Sequence, residues 1–287
     1  MTLVTLADVL RPALRDGYAV CGVVCLGWED ARAYVAAAEA ENCPLILQAG
    51  PGCRAHTPLA VIAPMLLHLA QTASVPVVVH LDHGYAMDEV REAIDRGFTS
   101  VMYDGSHHGL AQNIDETAAV VEFAHRAGVS CEGEIGVVGY AEGAGSTLTR
   151  PADAATFARE TGVDAMAVSI GNMHLQRGPS LPLDEAALRA IEAITALPLV
   201  IHGGTGVPEA QRRLLSRTSN ICKFNIGTEL RMAFGSALRV AVNADRNRFD
   251  RIALLRETHD PVVAATRRVL RSFGASRDLG TNGGLAR

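Results

Sequence analysis

Short apolar runs alternate with longer stretches of helical periodicity along almost the whole chain. The runs are rich in β-branched residues and are bounded by turn residues, which predicts buried parallel strands. They lie at residues 19–26, 45–48, 77–81, 99–103, 129–134, 165–170, 199–202 and 221–226. Strands and helices that alternate without a linker are typical of βα units around one parallel sheet. Eight such units in 287 residues predict an α/β fold of the closed (β/α)₈ barrel (TIM barrel) type, whose usual length is about 250 residues.

An open, doubly wound sheet is the alternative fold for this alternation. The glycine fingerprint G-x-G-x-x-G is absent after the first predicted strand, which argues against that alternative. Residues 246–268 predict extra helix at the C-terminal end, and residues 276–287 are polar and glycine-rich. We therefore predict a single barrel domain over residues 1–275 with extra C-terminal helices, followed by a flexible tail at 276–287.

The composition limits the class of protein and its partners. Hydrophobic residues make up 48% of the chain, and the net charge of −5 argues against a nucleic-acid surface. We find neither a signal peptide nor an apolar run long enough to span a membrane. The six cysteines are scattered, which fits buried free thiols in a reducing cytoplasm. The composition therefore predicts a cytoplasmic protein that binds neither nucleic acid nor membrane.

Polar side chains follow the predicted strands, where catalytic residues gather in barrels. After the third strand, Asp82 and His83 precede Gly84. Because adjacent side chains of a strand point to opposite faces, a turn at Gly84 is expected to bring both toward one cavity. The corresponding residues after later strands are Asp104, Glu134, His174 and His202.

Three histidines, His83, His174 and His202, share this position at the ends of separate strands. Three neutral imidazoles with one open coordination position form a catalytic zinc site. Asp104 and Glu134 lie at neighbouring strand ends, where they could hold a second divalent ion or act as general acids or cation partners. The pattern therefore predicts one catalytic Zn²⁺ ion, with less evidence for a second divalent site.

Two glycine-rich turns follow the last two predicted strands and precede helices. Backbone N–H groups at such turns bind anions, and barrels commonly hold phosphate with the loops after strands seven and eight. Each loop alone could be an ordinary βα turn. The residues of the predicted phosphate site are Gly203, Gly204, Thr205, Asn225, Ile226, Gly227 and Thr228.

Residues 136–149 are glycine-rich and lack apolar periodicity, which predicts a mobile lid over the mouth of the barrel. Glu142 is one of the few ionisable residues in this segment. A solvated loop charge is the alternative interpretation of Glu142.

Together these segments resemble the class II, zinc-dependent ketose-bisphosphate aldolases, the fructose- and tagatose-bisphosphate aldolase family. The resemblance extends from about residue 6 to residue 274 and is strongest at 80–84, 101–107, 132–142, 161–174 and 202–228. It implies that His83, His174 and His202 hold the catalytic zinc. Asp104 and Glu134 match the alternative metal site of the family.

The resemblance also implies an activity, the reversible aldol cleavage of a phosphorylated ketose through a dihydroxyacetone-phosphate-type enediolate. Asp82 would be the acid/base at the C4 hydroxyl, and Glu142 would move the proton at the enolising carbon. The carbonyl of Leu175 and the two phosphate turns would hold the dihydroxyacetone phosphate end, near a monovalent cation. Because members of the family form dimers and tetramers, the resemblance implies a homodimer or homotetramer.

Several positions near the expected substrate depart from the family pattern. Leu175 follows the second zinc histidine where glycine is usual, Val24 stands for an asparagine, and Gly50 stands for a serine. In the lid, Gly139-Tyr140 replaces the usual pair of glycines, and Gly143 replaces an acidic residue. The metal ligands are unchanged, so we expect aldol chemistry with an aldehyde partner other than glyceraldehyde phosphate.

Two alternatives to this activity stay open. The first is a related metal-dependent barrel lyase that acts on a carboxylated or non-bisphosphate substrate, for which Arg177 could bind the carboxylate. The second is a catalytically silent zinc-binding barrel. The presence of Asp82 and Glu142 beside all three histidines argues against a silent protein.

Overall fold

A computed structural model describes residues 1–139, 145–176 and 181–275 of the chain. Eight parallel strands form a closed barrel in which each strand pairs with the next and β8 pairs with β1. The predicted (β/α)₈ barrel is therefore confirmed, and the open sheet is excluded. The strands are β1 Val20–Val24, β2 Leu45–Ala49, β3 Val77–Gly84, β4 Ser100–Tyr103, β5 Ser130–Ile135, β6 Ala165–Val168, β7 Leu199–Ile201 and β8 Ile221–Ile226.

Helices cover the outside of this barrel, as the alternating pattern predicts. They pack on the outward-facing apolar side chains of the strands, which form one large buried cluster with them. The described helices are α1 Leu6–Asp16, α2 Trp28–Ala40, α3 Pro51–His56, α4 Leu59–Thr72, α5 Met87–Asp95, α6 Leu110–Arg126, α7 Pro151–Thr161, α8 Glu185–Glu192, α9 Glu209–Thr218, α10 Thr228–Ala244, α11 Arg251–Arg256 and α12 His259–Arg271.

Helix α1 lies outside the predicted elements and fills the amino end of the barrel. Its buried Leu6 and Leu10 belong to a second core cluster with inward-facing strand residues such as Val78. Burial of a leucine contributes about 1.5–3 kcal/mol, which is enough to hold this helix against the strand ends. The helix begins with a capping box, in which Thr5 and Asp8 satisfy each other's backbone N–H groups.

The path of β3 differs from the prediction. The strand does not turn at Gly84 but continues through it, and its register with β4 shifts between Leu81 and Gly84. His83 has a φ of 52°, a conformation that non-glycine residues rarely adopt. A bulge at Asp82 and His83, and not the expected turn, therefore directs both side chains into the barrel mouth.

The predicted C-terminal helices are present as α11 and α12. Helix α12 packs against α2, where Glu41 accepts hydrogen bonds from Arg267 (2.6 Å) and Arg271 (2.8 and 2.9 Å). The predicted tail at 276–287 lies outside the described residues, so the division of the chain at residue 275 stays a prediction.

All six cysteines are free and buried, as the scattered spacing predicts. Burial raises the pKa of thiols such as Cys53 to about 11, so they carry no charge near neutral pH. No helix among the described residues combines the length and the apolar character needed to cross a bilayer.

Candidate metal centre and active site

His83, His174 and His202 meet at the carboxyl end of the barrel. The ring centroids are 5.4 Å apart for His83 and His174, 4.6 Å for His83 and His202, and 5.7 Å for His174 and His202. One nitrogen atom from each ring lies within 4.8 Å of the corresponding atoms of the other two. Residues that are far apart in the sequence thus converge with the spacing that three ligands of one metal ion require.

Among the described residues, the hydrogen bonds of His202 leave one ring nitrogen without a partner. The Nε2 atom of His202 is 3.1 Å from Oε1 of Glu132, which can accept its proton. The Nδ1 atom is buried without a hydrogen bond and lies 3.3 Å from Oε2 of Glu134, which also lacks one. Two buried lone pairs that face each other are unfavourable unless a proton or a metal ion lies between them. This donor set fits a divalent metal ion.

The charge states of the three histidines also fit a metal site. Burial and the neighbouring His83 lower the pKa of His174 to about 4, and burial lowers that of His202 well below its ordinary value. Both rings are therefore neutral at pH 7, the form that binds metals. Burial by itself lowers the pKa of His83, but the Asp82 charge and the Asp104 hydrogen bond raise it to about 9. A metal ion would replace that proton.

Asp104 and Glu134 form a second group of metal-ligand type with His83. The Nδ1 atom of His83 is 2.7 Å from Oδ2 of Asp104 and 3.8 Å from Oε2 of Glu134. One ligand atom from each of these three residues lies within 4.8 Å of the other two. Burial and the nearby Asp104 charge raise the pKa of Glu134 to about 8. The structure thus brings the two predicted carboxylates together beside one shared histidine.

One carboxylate oxygen of Asp82 accepts two hydrogen bonds, whereas the other accepts none from the described residues. Its Oδ1 accepts hydrogen bonds from Nε2 of Gln48 (2.8 Å) and Nδ2 of Asn225 (3.3 Å). A Cβ atom at Gly50 would lie 3.0 Å from Oδ2, so glycine keeps that side open. A Cβ atom at Gly22 would overlap with Oε1 of Gln48, so that glycine gives Gln48 its path to Asp82. The arrangement can move a proton at Oδ2 without losing the orientation of the carboxylate.

Two adjoining cavities open around these residues. The first, of about 60 Å³, is lined by Val24, Asp82, His83, Met173, His174, Leu175, Gln176, Gly203, Thr205, Asn225, Gly227, Thr228 and Arg231. The second, of about 260 Å³, is lined by Val24, Gly50, Pro51, Gly52, Cys53, Asp82, His83, His174, Leu175 and Arg231. The first contains most of the predicted phosphate-binding residues, and the second extends from the histidines toward α3.

Two predicted phosphate-site residues lie elsewhere. The side chain of Ile226 is fully buried in the core between the barrel and its helices, so only its backbone remains as a contact for a bound phosphate. Gly204, the first residue of the turn Gly204–Gly206, is also buried and lines neither cavity, so the predicted phosphate contacts of both residues stay predictions. Their inclusion followed from their place in the motif, and the inward and outward alternation of β8 explains why Asn225 faces the site whereas Ile226 does not.

Gly203 brings the loops after β6 and β7 together. It has a φ of 63°, and a Cβ atom there would overlap with the carbonyl oxygen of Met173. This close approach positions His174, which follows Met173 in the sequence, beside His202. Leu175 adopts a φ of 54° although it is not a glycine, so this position has the left-handed conformation that favours glycine.

The predicted lid is described only at its two ends. Val137 and Thr147 form an antiparallel bridge, and the N–H of His174 donates to the carbonyl oxygen of Gly139 at 2.8 Å. This contact joins the base of the segment to the histidine loop. Glu142 and Arg177 lie outside the described residues.

Three charged residues at the site lie outside the sequence prediction. Lys223, fully buried, lies 2.6 Å from Oε2 of Glu132, beneath His202. The guanidinium of Arg54 reaches the end of β3, and Arg231 borders both cavities. A lysine within a predicted buried strand was the available signal for Lys223, because a buried charge requires a partner.

Comparisons with known proteins agree with this geometry. The family model "Fructose-bisphosphate aldolase class-II" matches residues 4–278. The chain is 36% identical to the fructose-bisphosphate aldolase of Geobacillus stearothermophilus, covering 96% of this chain and 98% of that protein. It is 35% identical to the 6-phospho-5-dehydro-2-deoxy-D-gluconate aldolase of Shouchella clausii over the full length of both. The crystal structure of the YdjI aldolase from Escherichia coli K12 has a TM-score of 0.83 at 30% identity, covering 96% of this chain and 98% of that one. The chain therefore belongs to the class-II fructose-bisphosphate aldolase family of carbon–carbon lyases.

Proposed function

We propose that this chain is a zinc-dependent aldolase that reversibly cleaves a phosphorylated ketose, with a dihydroxyacetone-phosphate-type fragment as one product. One observation carries the proposal. Three imidazole nitrogens lie within 4.8 Å of one another, beside an aspartate whose Oδ1 is held by Gln48 and Asn225. A binding protein would need the three ligands but would have no use for an oriented, half-free carboxylate.

His83, His174 and His202 would hold the catalytic Zn²⁺ ion, and Asp104 and Glu134 would offer it an alternative position or hold a second ion. When bound, zinc supplies a Lewis acid that draws charge from the oxygens of a ketose. Glu132 would accept a hydrogen bond from the Nε2 proton of His202, which leaves the Nδ1 lone pair of His202 for the metal.

Asp82 would accept the C4 hydroxyl proton during cleavage and return it during condensation. Support comes from the accessible Oδ2 atom and from the two amide hydrogen bonds on Oδ1, which fix the orientation of the carboxylate. Glu142 would transfer the proton at the enolising carbon, a role that rests on the resemblance of the lid to the family.

The substrate phosphate would bind where two turns line the first cavity. Gly203 and Thr205 follow β7, and Gly227 and Thr228 stand at the start of the long helix α10. Free backbone N–H groups and the positive end of a helix dipole favour an anion there. Leu175 would contribute its backbone carbonyl, and a monovalent cation near the phosphate is a further proposal from the family.

The aldehyde end of the substrate would occupy the second cavity. Val24 and Gly50 line it with apolar or minimal side chains, and Arg231 brings a cation to its edge. The Nε atom of Arg231 is buried and has no hydrogen bond to any described residue, so an anionic group could pair with this side chain. This lining supports an aldehyde partner other than glyceraldehyde phosphate, with an anionic end that is either a phosphate or a carboxylate.

A substrate panel tests the proposal. The zinc-loaded protein would be assayed for triose phosphate release from fructose bisphosphate, tagatose bisphosphate and 6-phospho-5-dehydro-2-deoxy-D-gluconate, the last being the compound named for one relative. We expect turnover of at least one compound, loss of that turnover with a chelator, and recovery with zinc. Full turnover of fructose or tagatose bisphosphate would contradict the altered aldehyde partner.

The Asp82→Asn variant tests the proton transfer. The amide keeps the size of the side chain but cannot accept the proton, so kcat should fall about 100- to 10,000-fold while zinc still binds. Asp88→Asn is the matched control, because Asp88 is an exposed aspartate of α5. Wild-type turnover by Asp82→Asn would refute the role of Asp82. A zinc-bound protein that turns over no ketose would favour the silent barrel.

A cytoplasmic location and assembly into a homodimer or homotetramer are further proposals from the family. Sedimentation of the purified protein would test the assembly.

A further inference from the structure

The end of β3 lacks the strand neighbours that would normally hold it. The register of β2 with β3 ends at the pair Ala49 and Leu81, and the register of β3 with β4 passes from Leu81 directly to Gly84. Asp82 and His83 therefore have no partner residue in either ladder. These are the two residues whose side chains the proposed reaction uses, and His83 also has the left-handed φ of 52°.

The side chain of Arg54 fills the position of the missing neighbour. Its Nη1 atom donates to the carbonyl oxygens of Ala49 and Asp82, each at 2.7 Å, and its Nη2 atom donates to that of His83 at 2.9 Å. The side chain is 10% exposed, and Nη2 also lies 3.6 Å from Oε2 of Glu89. One guanidinium thus joins the last residue of β2 to both residues of the bulge.

The geometry requires an arginine. A planar guanidinium presents several N–H donors in a fixed fork, whereas a lysine ammonium is a compact point charge on a flexible stem. Hydrogen bonds from a charged donor are stronger than those between neutral groups. The fork can therefore hold two successive carbonyls in a backbone conformation that a non-glycine residue otherwise avoids.

We infer that Arg54 is a positioning residue for the proposed reaction, which sets the direction of the His83 ring and the Asp82 carboxylate by holding their backbone carbonyls. Arg54 lines neither of the two cavities and belongs to neither group of candidate metal ligands. The role rests on the proposed function, because it matters only if Asp82 and His83 act together on one bound substrate.

Two variants test this role. Arg54→Met removes the charge and the donors at similar length, and Arg54→Lys keeps the charge without the fork. Zinc affinity of the metal-free protein would be measured by competition with a chromophoric chelator, and kcat, KM and urea unfolding would be measured beside it. For Arg54→Met we expect zinc affinity and kcat each to fall about 10- to 100-fold, with little change in KM. Arg54→Lys should recover only part of the loss.

Arg189→Met is the matched control. Arg189 also donates from Nη1 to a backbone carbonyl, that of Thr218 at 2.8 Å, but it lies at the amino end of the barrel. The Arg189→Met variant should have a lower free energy of unfolding but an unchanged zinc affinity. Wild-type zinc affinity and kcat in Arg54→Met would overturn the inference, and so would losses no larger than those of Arg189→Met. Zinc affinity is measured without turnover, so it tests the positioning role of Arg54 even if none of the tested ketoses is cleaved.

Discussion

Replacement of Gly203 by alanine should disrupt the contact between the loops after β6 and β7. Gly203 has a φ of 63°, and an added Cβ atom would overlap with the carbonyl oxygen of Met173 and lie 2.5 Å from its carbonyl carbon. Both atoms belong to the backbone, so no side chain can rotate away to relieve the overlap. The residue after Met173 is the proposed metal ligand His174.

The expected cost has two parts. A left-handed conformation costs a residue with a Cβ atom about 1–2 kcal/mol. Forcing an extra carbon into packed structure costs about 1–3 kcal/mol, so the total loss in the free energy of unfolding should be about 2–5 kcal/mol. Gly128→Ala separates the two parts, because Gly128 has a φ of 72° with nothing within 4 Å of the added Cβ. That control should lose only the first part.

Urea unfolding of both metal-free variants measures these losses, and chelator competition measures their zinc affinity. Relief of the overlap would move Met173 and the adjoining His174, so Gly203→Ala should also bind zinc more weakly, whereas Gly128→Ala should not. The reasoning is refuted if Gly203→Ala is no less stable than Gly128→Ala, or if it keeps wild-type zinc affinity.

Three further predictions concern stability. Leu175→Gly should raise the free energy of unfolding by about 1 kcal/mol, because it relieves the backbone strain at a φ of 54° and removes a side chain that is 47% exposed. A lower free energy of unfolding in urea would contradict this. Lys223→Met should lower the free energy of unfolding by about 3–5 kcal/mol in the same assay, because it leaves the buried Glu132 carboxylate without its cation; an unchanged free energy of unfolding would contradict this role of Lys223. Burial raises the pKa of Glu41, but hydrogen bonds from the two arginines of α12 outweigh it and lower the pKa below the ordinary 4.5. Since the folded pKa is the lower one, the stabilisation exists above pH 4.5 and disappears as the pH falls through the folded value. Glu41→Gln should therefore be about 1 kcal/mol less stable at pH 7, and its deficit should shrink in acid; a deficit independent of pH would contradict the ion pair.

The barrel could be predicted from the sequence because its signal is periodic and local. Each strand is a short β-branched run followed by a helix, and a right-handed βα crossover leaves few ways to connect eight of them. The positions of His174 and His202 followed from the same pattern, since every strand ends at the same face of a barrel. Helix α1 carries no such repeat, and Pro12 lies within it, so its role in filling the barrel could not be predicted.

The sequence by itself determined the eight βα units and the polar residues that end them, because hydrophobic periodicity and turn chemistry act between near neighbours. The tertiary structure decided how the side chains of those residues are oriented. The bulge that turns His83 and Asp82 into one cavity depends on the register between β3 and β4. The hydrogen bonds that hold Asp82 come from Gln48, 34 residues away, and from Asn225, 143 residues away. The contact with Gln48 needs β2 and β3 to pair, and the contact with Asn225 of β8 needs the barrel to close, because only then do side chains that are distant in the sequence come within hydrogen-bond distance.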